Sequence, residues 1–256
     1  MFSAPSDVRL YGLFVASDSP NRPFIVTTEH TTTTPTSVRV NFLRRKSSGE
    51  LALVQSVTLQ ESKNYSSSSF ASGPNGSVFC AFHYSTSIHE VCRSPAKSAS
   101  PFADDSKPHP LAANVHYICG LECVGEHRLV ASFADRSVRV FRVAAGALSE
   151  VQRITEPADD WTPHTLVGLP DGGICICSRF QDPEDSRSKC GLDLCALDSS
   201  GTLSAPRRLV QFPNRVAVWC HQRAPSSSDS AHGIVVAEYS NRTTVLTLRV
   251  FLFEQN

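Results

Sequence analysis

Short runs of alternating apolar and polar residues follow one another along this 256-residue chain, separated by turns rich in Gly, Pro, Asn and Asp. The clearest stretch is HRLVASFADRSVRVFRVAAGALSEVQRI, from His127 to Ile154. Its alternation with period two predicts strands over Leu129–Phe133, Ser137–Val143 and Glu150–Ile154. HYICGLECV, just upstream, predicts a further strand, so the region holds four short strands in succession.

The same order of strands and turns recurs along the chain, and reference positions on the third strand of each copy are 49 to 54 residues apart. Four strands repeated at about this period are typical of a β-propeller, in which neighbouring blades cover one another's faces. The sequence therefore predicts an all-β fold, a single propeller-like domain over residues 1–256. The units are expected at about 8–59, 65–110, 115–154, 163–212 and 216–254.

LVASFADRSVRVFRVAAGAL resembles the core of a WD-repeat unit, in which a turn carrying Asp leads into a strand that ends in Trp-Asp. Asp135 stands at that turn, Phe141-Arg142 replaces the Trp-Asp pair, and no unit carries the Gly-His signature. The resemblance implies a divergent WD-like propeller. Such propellers typically have seven units and five are countable here, so a five-bladed ring, an incomplete fragment and an open arc all fit the sequence.

Two units look incomplete. After Arg93, the segment SPAKSASPFADDSKPHP is too rich in Pro and Ser to predict a fourth strand, and the last unit shows no fourth strand before Asn256. We expect exposed polar loops at 94–110, 181–190 and 224–231.

Charge and targeting signals exclude several classes of protein. Lys plus Arg equal Asp plus Glu, 24 against 24, which disfavours a nucleic-acid partner. The N-terminus has no basic start followed by an apolar core, and no run approaches the roughly 18–20 apolar residues of a membrane span. The nine Cys have no disulfide-framework spacing, and most lie inside apolar runs. These features predict a soluble protein of the cytoplasm or nucleus.

Local catalytic and metal motifs are missing: there is no GxSxG, GxGxxG, GxxxxGK[ST], HExxH or pair of CxxC motifs. The sequence therefore nominates no catalytic, cofactor-binding or metal-binding residue. Asp135, Asp171 and Asp198 are interpreted as turn residues. Cys175 and Cys177 share one face of a strand and are interpreted as core. Cys190 and Cys195 are placed in and near a loop, with little support for a redox role. The scattered His residues are expected to be exposed or to make single hydrogen bonds.

Two short basic clusters lie at strand ends, Arg44-Arg45-Lys46 and Arg207-Arg208. A solvated sheet edge explains both. A sharper hypothesis is phosphoinositide contact near Arg44, Arg45 and Lys46, because LRRK is a partial match to the Phe-Arg-Arg-Gly motif of lipid-binding propellers.

The leading functional hypothesis is a non-catalytic scaffold that binds other proteins through the rims of the propeller. The alternative is a propeller-type hydrolase or carbohydrate-binding protein with carboxylates or Trp residues in the central funnel. An ordinary two-sheet sandwich fits the composition but not the regular period.

Overall fold

The structure is a computed structural model. It describes residues 8–17, 23–31, 38–59, 68–73, 76–82, 85–94, 100–104, 106–111, 117–125, 127–144, 147–155, 161–169, 172–181, 188–198, 200–212, 215–221, 232–239 and 246–253. In the first strand and in the last sheet it describes the backbone, together with the side chain of Val236.

The described residues form five antiparallel sheets in chain order, and we call them blades 1 to 5. Blade 1 contains β1 (Val8–Ser17), β2 (Pro23–Thr31), β3 (Val38–Arg45) and β4 (Leu51–Leu59). Blade 2 contains β5 (Ser68–Ser72), β6 (Val78–Phe82), β7 (Ser87–Val91) and β8 (Lys107–Pro110). Blade 3 contains β9 (Ile118–Val124), β10 (Arg128–Phe133), β11 (Ser137–Ala144) and β12 (Ala147–Thr155). Blade 4 contains β13 (Trp161–Gly168), β14 (Ile174–Gln181), β15 (Ser188–Cys195) and β16 (Arg207–Phe212). Blade 5 contains β17 (Arg215–His221), β18 (His232–Tyr239) and β19 (Leu246–Phe253).

Within each blade the strands follow one another as a meander, so that each strand pairs with its neighbour in sequence. The alternation that predicted the strands also decides which side chains are buried, because successive residues of a strand point to opposite faces. In β11 both alternate sets are buried at Ser137–Phe141, since blade 3 has a blade on each side. In β12, at the outer edge, all nine residues are at least partly exposed.

Hydrophobic cores lie between successive blades, and each core takes one face from each of two neighbours. Blades 1 and 2 meet around Phe42 and Phe102, whose rings stack with centroids 3.8 Å apart. Blades 2 and 3 meet around Phe79 and Phe133. The core between blades 3 and 4 contains Val140 and Ile176, and the core between blades 4 and 5 contains Phe212 and Val236.

The alternation of sheets and cores is that of a β-propeller, because four-stranded sheets bury both faces when they stack side by side around an axis. The first strands of successive blades, β1, β5, β9, β13 and β17, lie against one another and form the inner wall. Among the described strands, those of blade 5 make no extensive contact with those of blade 1, as in an open propeller. The predicted all-β propeller of four-stranded blades is confirmed.

The expectation that residues 94–110 form an exposed loop without a pairing strand is wrong. Lys107–Pro110 pairs with Ser87–Glu90 as the outer strand of blade 2. Proline is tolerated there because an edge strand leaves one side of its backbone without a partner strand. Phe102 is also buried, with 1% of its surface exposed, and fills the core between blades 1 and 2.

The other two predicted loops have different outcomes. Residues 188–190, expected in the loop at 181–190, belong to β15, and Cys190 is fully buried there instead of lying in a loop. Residues 182–187 and 224–231 lie outside the described residues. Among the described residues, blade 5 has three strands, β17 to β19. No helix in the described residues is long and apolar enough to cross a membrane.

Candidate functional site

The outer strand of blade 1 carries exposed apolar side chains. Leu51, Leu53 and Val54 are 44%, 53% and 40% exposed, although the strand belongs to a sheet with a well-filled core on its other face. A β-bulge between the pairs Phe42↔Gln55 and Leu43↔Leu53 produces this exposure, because it inserts Val54 as an extra residue and shifts the alternation. Beyond the bulge, Val57 and Leu59 return to the core.

These three residues extend a row of apolar side chains on the face of blade 1 that points away from the core shared with blade 2. Ile25 on β2 lies opposite Leu43 on β3, and Leu43 lies opposite Leu53 on β4, so the three share one face. We call the exposed Leu51, Leu53 and Val54, together with the half-buried Ile25 and the buried Leu43 beside them, the blade 1 patch. Sequence reasoning missed this patch. The signal that could have found it is LALVQSVTL, a strand without a charged residue or a proline.

The predicted basic cluster Arg44-Arg45-Lys46 borders the blade 1 patch, and its three side chains have different surroundings. The Arg44 guanidinium lies over the Phe24 ring, 4.3 Å from its centroid. Lys46 Nζ lies 3.6 Å from Glu50 Oε2, and Arg45 is exposed opposite Leu51. The hairpin thus presents Arg45 to solvent beside apolar residues, while phosphoinositide contact remains a prediction.

The two residues of the second basic cluster, Arg207 and Arg208, also have different surroundings. Arg208 binds Asp193 through two hydrogen bonds, of which that from Nη2 to Oδ2 is 3.1 Å long, and its guanidinium stacks on Trp161, 3.6 Å from the ring centroid. Arg207 is exposed. Arg208 is therefore part of the structure of blade 4, and the cluster does not act as one cationic site.

A partly buried acid lies on the inner strand of blade 3. Burial raises the pKa of Glu122 to about 7, against the lowering effect of hydrogen bonds from the backbone N–H groups of Gly168 and Cys123. Burial likewise raises the pKa of Cys119, on the same strand, to about 11. Glu122 was not nominated from the sequence, because its burial depends on the packing of β9 against β13.

The turn aspartates have the predicted structural role where they are described. Asp135 accepts hydrogen bonds from the backbone N–H and the hydroxyl of Ser137 and from the buried Arg139. Asp198 accepts hydrogen bonds from the N–H groups of Ser200 and Thr202, both at 2.9 Å. Asp171 lies outside the described residues.

The predicted core cysteines Cys175 and Cys177 are buried in the core between blades 4 and 5. Two histidines expected to be exposed or singly bonded are buried instead. His109 Nε2 lies 3.1 Å from Glu90 Oε2, and His89 Nδ1 lies 3.3 Å from Ser106 Oγ. Both histidines thus make hydrogen bonds in the sheet, and the expectation of solvent exposure does not hold for them. No group of three metal-ligating side chains occurs among the described residues.

An open β-propeller with an exposed apolar edge is the class of structure that these features define. No protein-family model and no curated protein matches the sequence significantly. Among solved structures, the chain is similar to a Bacteroides fragilis protein assigned as a 6-phosphogluconolactonase, with a TM-score of 0.50 and 12% identity over 99% of this chain and 83% of that one.

It is also similar to the N-terminal domain of Nup159, with a TM-score of 0.51 and 12% identity over 94% of this chain. The chain spans 60% of the length of that domain. At this identity the two likenesses establish the fold alone.

Proposed function

We propose that this protein is a non-catalytic platform for protein–protein interaction and that the blade 1 patch is its contact surface. The observation that carries the proposal is the exposure of Leu51, Leu53 and Val54 on one strand at a sheet edge. Contiguous apolar surface bordered by polar residues is typical of interaction sites.

The contacts of the described acids support a scaffold over a hydrolase. Glycoside hydrolysis, for example, needs two carboxyl groups on either side of the substrate. Most described acids, however, are held by a neighbouring cation or polar side chain, which fixes them as parts of the blades. Such acids are Glu29, Glu50, Glu90, Asp104, Asp135, Glu150, Asp193 and Asp198.

One observation favours the alternative of a hydrolase or carbohydrate-binding site in the funnel. Glu122, on an inner strand, has a pKa of about 7, which suits a general acid at neutral pH. This second candidate predicts turnover that Glu122→Gln abolishes while the fold is retained.

A capture experiment compares three forms of the protein. Wild type, a Leu51→Lys/Leu53→Lys double variant and Val151→Lys are immobilised and incubated with native lysate. Val151 is a matched control, because it is 44% exposed on the outer strand of blade 3. We expect proteins that wild type and Val151→Lys retain and the double variant loses. Equal retention by all three forms would overturn the proposal, as would turnover dependent on Glu122 without any specific partner.

A WD-like relationship and a cytoplasmic or nuclear location are parts of the same proposal. The Asp135 turn between β10 and β11 supports the first. The eight described cysteines, five of them buried, form no disulfide, which supports a reducing compartment.

A further inference from the structure

We propose that Ser48, in the turn between β3 and β4, is a phosphorylation site for an arginine-directed serine kinase, and that the phosphate blocks partner binding at the blade 1 patch. This inference rests on the proposed function and names the regulation of that surface. The turn covers residues 46–50, and every residue in it is exposed.

The geometry of this turn does not require the basic residues around it, as a second turn of the chain shows. The Gly49 N–H donates to the Lys46 carbonyl oxygen at 3.0 Å, and in the turn at 198–202 the Gly201 N–H donates to that of Asp198 at 2.9 Å. Both glycines have a positive φ, 89° and 79°. The two sequences are KSSGE and DSSGT, and the second contains no basic residue.

Basic residues precede Ser48 at the spacing that arginine-directed kinases select. Such kinases bind an extended substrate segment and recognise an arginine three residues before the acceptor through complementary acidic groups. Arg45 and Lys46 lie three and two residues before Ser48. Ser200, the equivalent serine of the turn at 198–202, has a leucine and an aspartate at those positions. The charge pattern therefore makes Ser48 a substrate and leaves Ser200 as a matched control.

The structure favours Ser48 over Ser47, although Ser47 has Arg44 three residues before it. Because a kinase binds an extended segment, the hairpin must open locally as far as that arginine. For Ser48 the opening ends at Arg45, which is exposed and is the last residue of β3. For Ser47 it must also release Arg44, whose guanidinium lies over the Phe24 ring. Phosphorylation of Ser48 thus disrupts less of blade 1.

The reaction is a phosphoryl transfer from MgATP. The Ser48 Oγ atom bonds to the γ-phosphorus of ATP, while the bond from that phosphorus to the β–γ bridging oxygen breaks. ADP leaves with the bridging oxygen, and the hydroxyl proton passes to a carboxylate of the kinase. The product is a phosphoserine, which carries a charge of about −1.5 to −2 at pH 7.

The phosphate joins charged side chains that already surround the turn. Ser48 Oγ donates to Glu50 Oε2 at 3.4 Å, and Lys46 Nζ lies 3.6 Å from the same oxygen. A phosphate on Ser48 repels Glu50 and attracts Lys46. Arg45 Nη2 lies 3.7 Å from the position that a Cβ would take on Gly49, the residue after Ser48, so the phosphate attracts this guanidinium as well.

A phosphate on this turn opposes burial of the blade 1 patch. Leu51 begins β4 directly after the turn, and Arg45 lies opposite it. A partner that covers Leu51 and Leu53 must also remove water from the neighbouring phosphate, which is costly for a group of this charge. Phosphorylation therefore weakens partner binding without altering the apolar side chains.

The first test treats the full chain with MgATP and purified cyclic-AMP-dependent protein kinase, which selects arginine three residues before serine. Tandem mass spectrometry locates the phosphate. We expect Ser48 to be the main acceptor and Ser200 to remain unmodified. Ser48→Ala should abolish incorporation, and Ser47→Ala should leave it unchanged. Arg45→Gln should lower the initial rate of incorporation by about tenfold, because charge-assisted hydrogen bonds to the kinase are lost.

The second test measures the regulation of partner binding. Wild type and Ser48→Ala are both treated with the kinase, immobilised and incubated with native lysate that contains phosphatase inhibitors. We consider the proteins whose capture depends on Leu51 and Leu53. Phosphorylated wild type should retain about tenfold less of them than kinase-treated Ser48→Ala does. Without kinase treatment the two forms should retain equal amounts.

Several results would overturn the inference. Phosphate found on Ser47, or equal modification of Ser200, would refute the assignment of Ser48. Phosphorylation of Ser48 that leaves capture unchanged would refute the regulation. If the kinase fails to modify Ser48 while capture still depends on Leu51 and Leu53, the inference is wrong and the proposed function stands. If no capture depends on these two residues, the proposed function is wrong, and the regulation is wrong with it even when Ser48 is phosphorylated.

Discussion

The carboxamide of Gln55 in blade 1 pairs with the backbone of Phe102 in blade 2. Its nitrogen donates to the Phe102 carbonyl oxygen at 2.9 Å, and its oxygen accepts from the Phe102 N–H at 3.0 Å. Gln152 in blade 3 repeats this pairing with Leu203 in blade 4, at 2.7 and 2.9 Å. In both outer strands the Gln directly follows the Val that forms the β-bulge. Its carboxamide pairs with the next blade as a backbone peptide group would, and so links the two blades.

Replacing either Gln by Ala should destabilise the protein. Gln55→Ala removes the partner of the Phe102 N–H, while Ser94 Oγ still donates to the Phe102 carbonyl oxygen. An unsatisfied buried polar group costs about 1–3 kcal/mol. We expect a loss of about 2 kcal/mol from Gln55→Ala and a similar loss from Gln152→Ala, measured by urea unfolding.

Gln211 is the matched control for this measurement. It also follows a Val on an outer strand, but the bulge in β16 comes one residue earlier in the sequence and leaves Gln211 exposed. Gln211→Ala should change stability by less than about 0.5 kcal/mol. An equal loss from all three substitutions would contradict the structural assignment.

Arg208 should not tolerate replacement by Lys, although the charge is retained. Its planar guanidinium both binds Asp193 and stacks on Trp161, and a Lys ammonium cannot reproduce this geometry. We expect Arg208→Lys to lower stability by about 1–2 kcal/mol and to shift the Trp161 emission to longer wavelength. A Trp219→Phe background leaves Trp161 as the one emitting Trp of the chain.

Arg207→Lys provides the comparison for this experiment, because Arg207 is the adjacent residue and is exposed. It should leave both the emission and the urea midpoint unchanged. Gly191→Ala tests the same packing, since a Cβ there would come within 2.5 Å of the Trp161 ring and 2.8 Å of Arg208 Cζ. If neither Arg208→Lys nor Gly191→Ala alters the emission, the stacking does not exist in solution.

The repeat period predicted the propeller because burial of two faces imposes alternation in every blade. The sequence did not predict the outer strand of blade 2, because Lys107–Pro110 has no alternating apolar pattern and forms a strand through its pairing with β7. The sequence did not predict the exposed blade 1 patch or the buried Glu122 either, for a different reason. Exposure of Leu53 depends on a bulge one residue away, and the burial of Glu122 depends on contact with another blade. The Val-Gln pairs at Gln55 and Gln152 were a visible signal of the links between blades, although the same pair at Gln211 forms no such link.

Glu122 should make stability fall as pH rises. Its pKa is raised by burial from the ordinary 4.5 to about 7, so the folded state binds more protons than the unfolded state between these values. The free energy of unfolding therefore decreases from pH 4.5 to pH 7 and stays lower above that range. Glu122→Gln should remove this contribution, which we place on the order of 2–3 kcal/mol. Urea midpoints at pH 5 and 8 measure it, and parallel changes in wild type and variant would show that Glu122 is not the titrating group.

Asp135 should contribute far more to stability than Asp198, although both accept hydrogen bonds within a turn. Arg139 has 4% of its side chain exposed and binds Asp135, with Glu150 as a second acid at 3.7 Å. Without Asp135, the charge of the buried Arg139 guanidinium is balanced by the more distant Glu150 carboxylate. Asp135→Ala should therefore lower the free energy of unfolding by about 2 kcal/mol.

The pH dependence gives the control for this prediction. Burial raises the pKa of Asp135, but hydrogen bonds from Ser137 and Arg139 outweigh this effect and hold it below the ordinary 3.8. A lowered pKa means that the stabilisation is complete above pH 3.8 and is lost as pH falls through the folded-state value. Wild type and Asp135→Ala should therefore differ in urea midpoint at pH 7 and converge in acid. Asp198→Ala, on an exposed turn, should show a much smaller difference at pH 7, and a loss as large as that of Asp135→Ala would refute the role of Arg139.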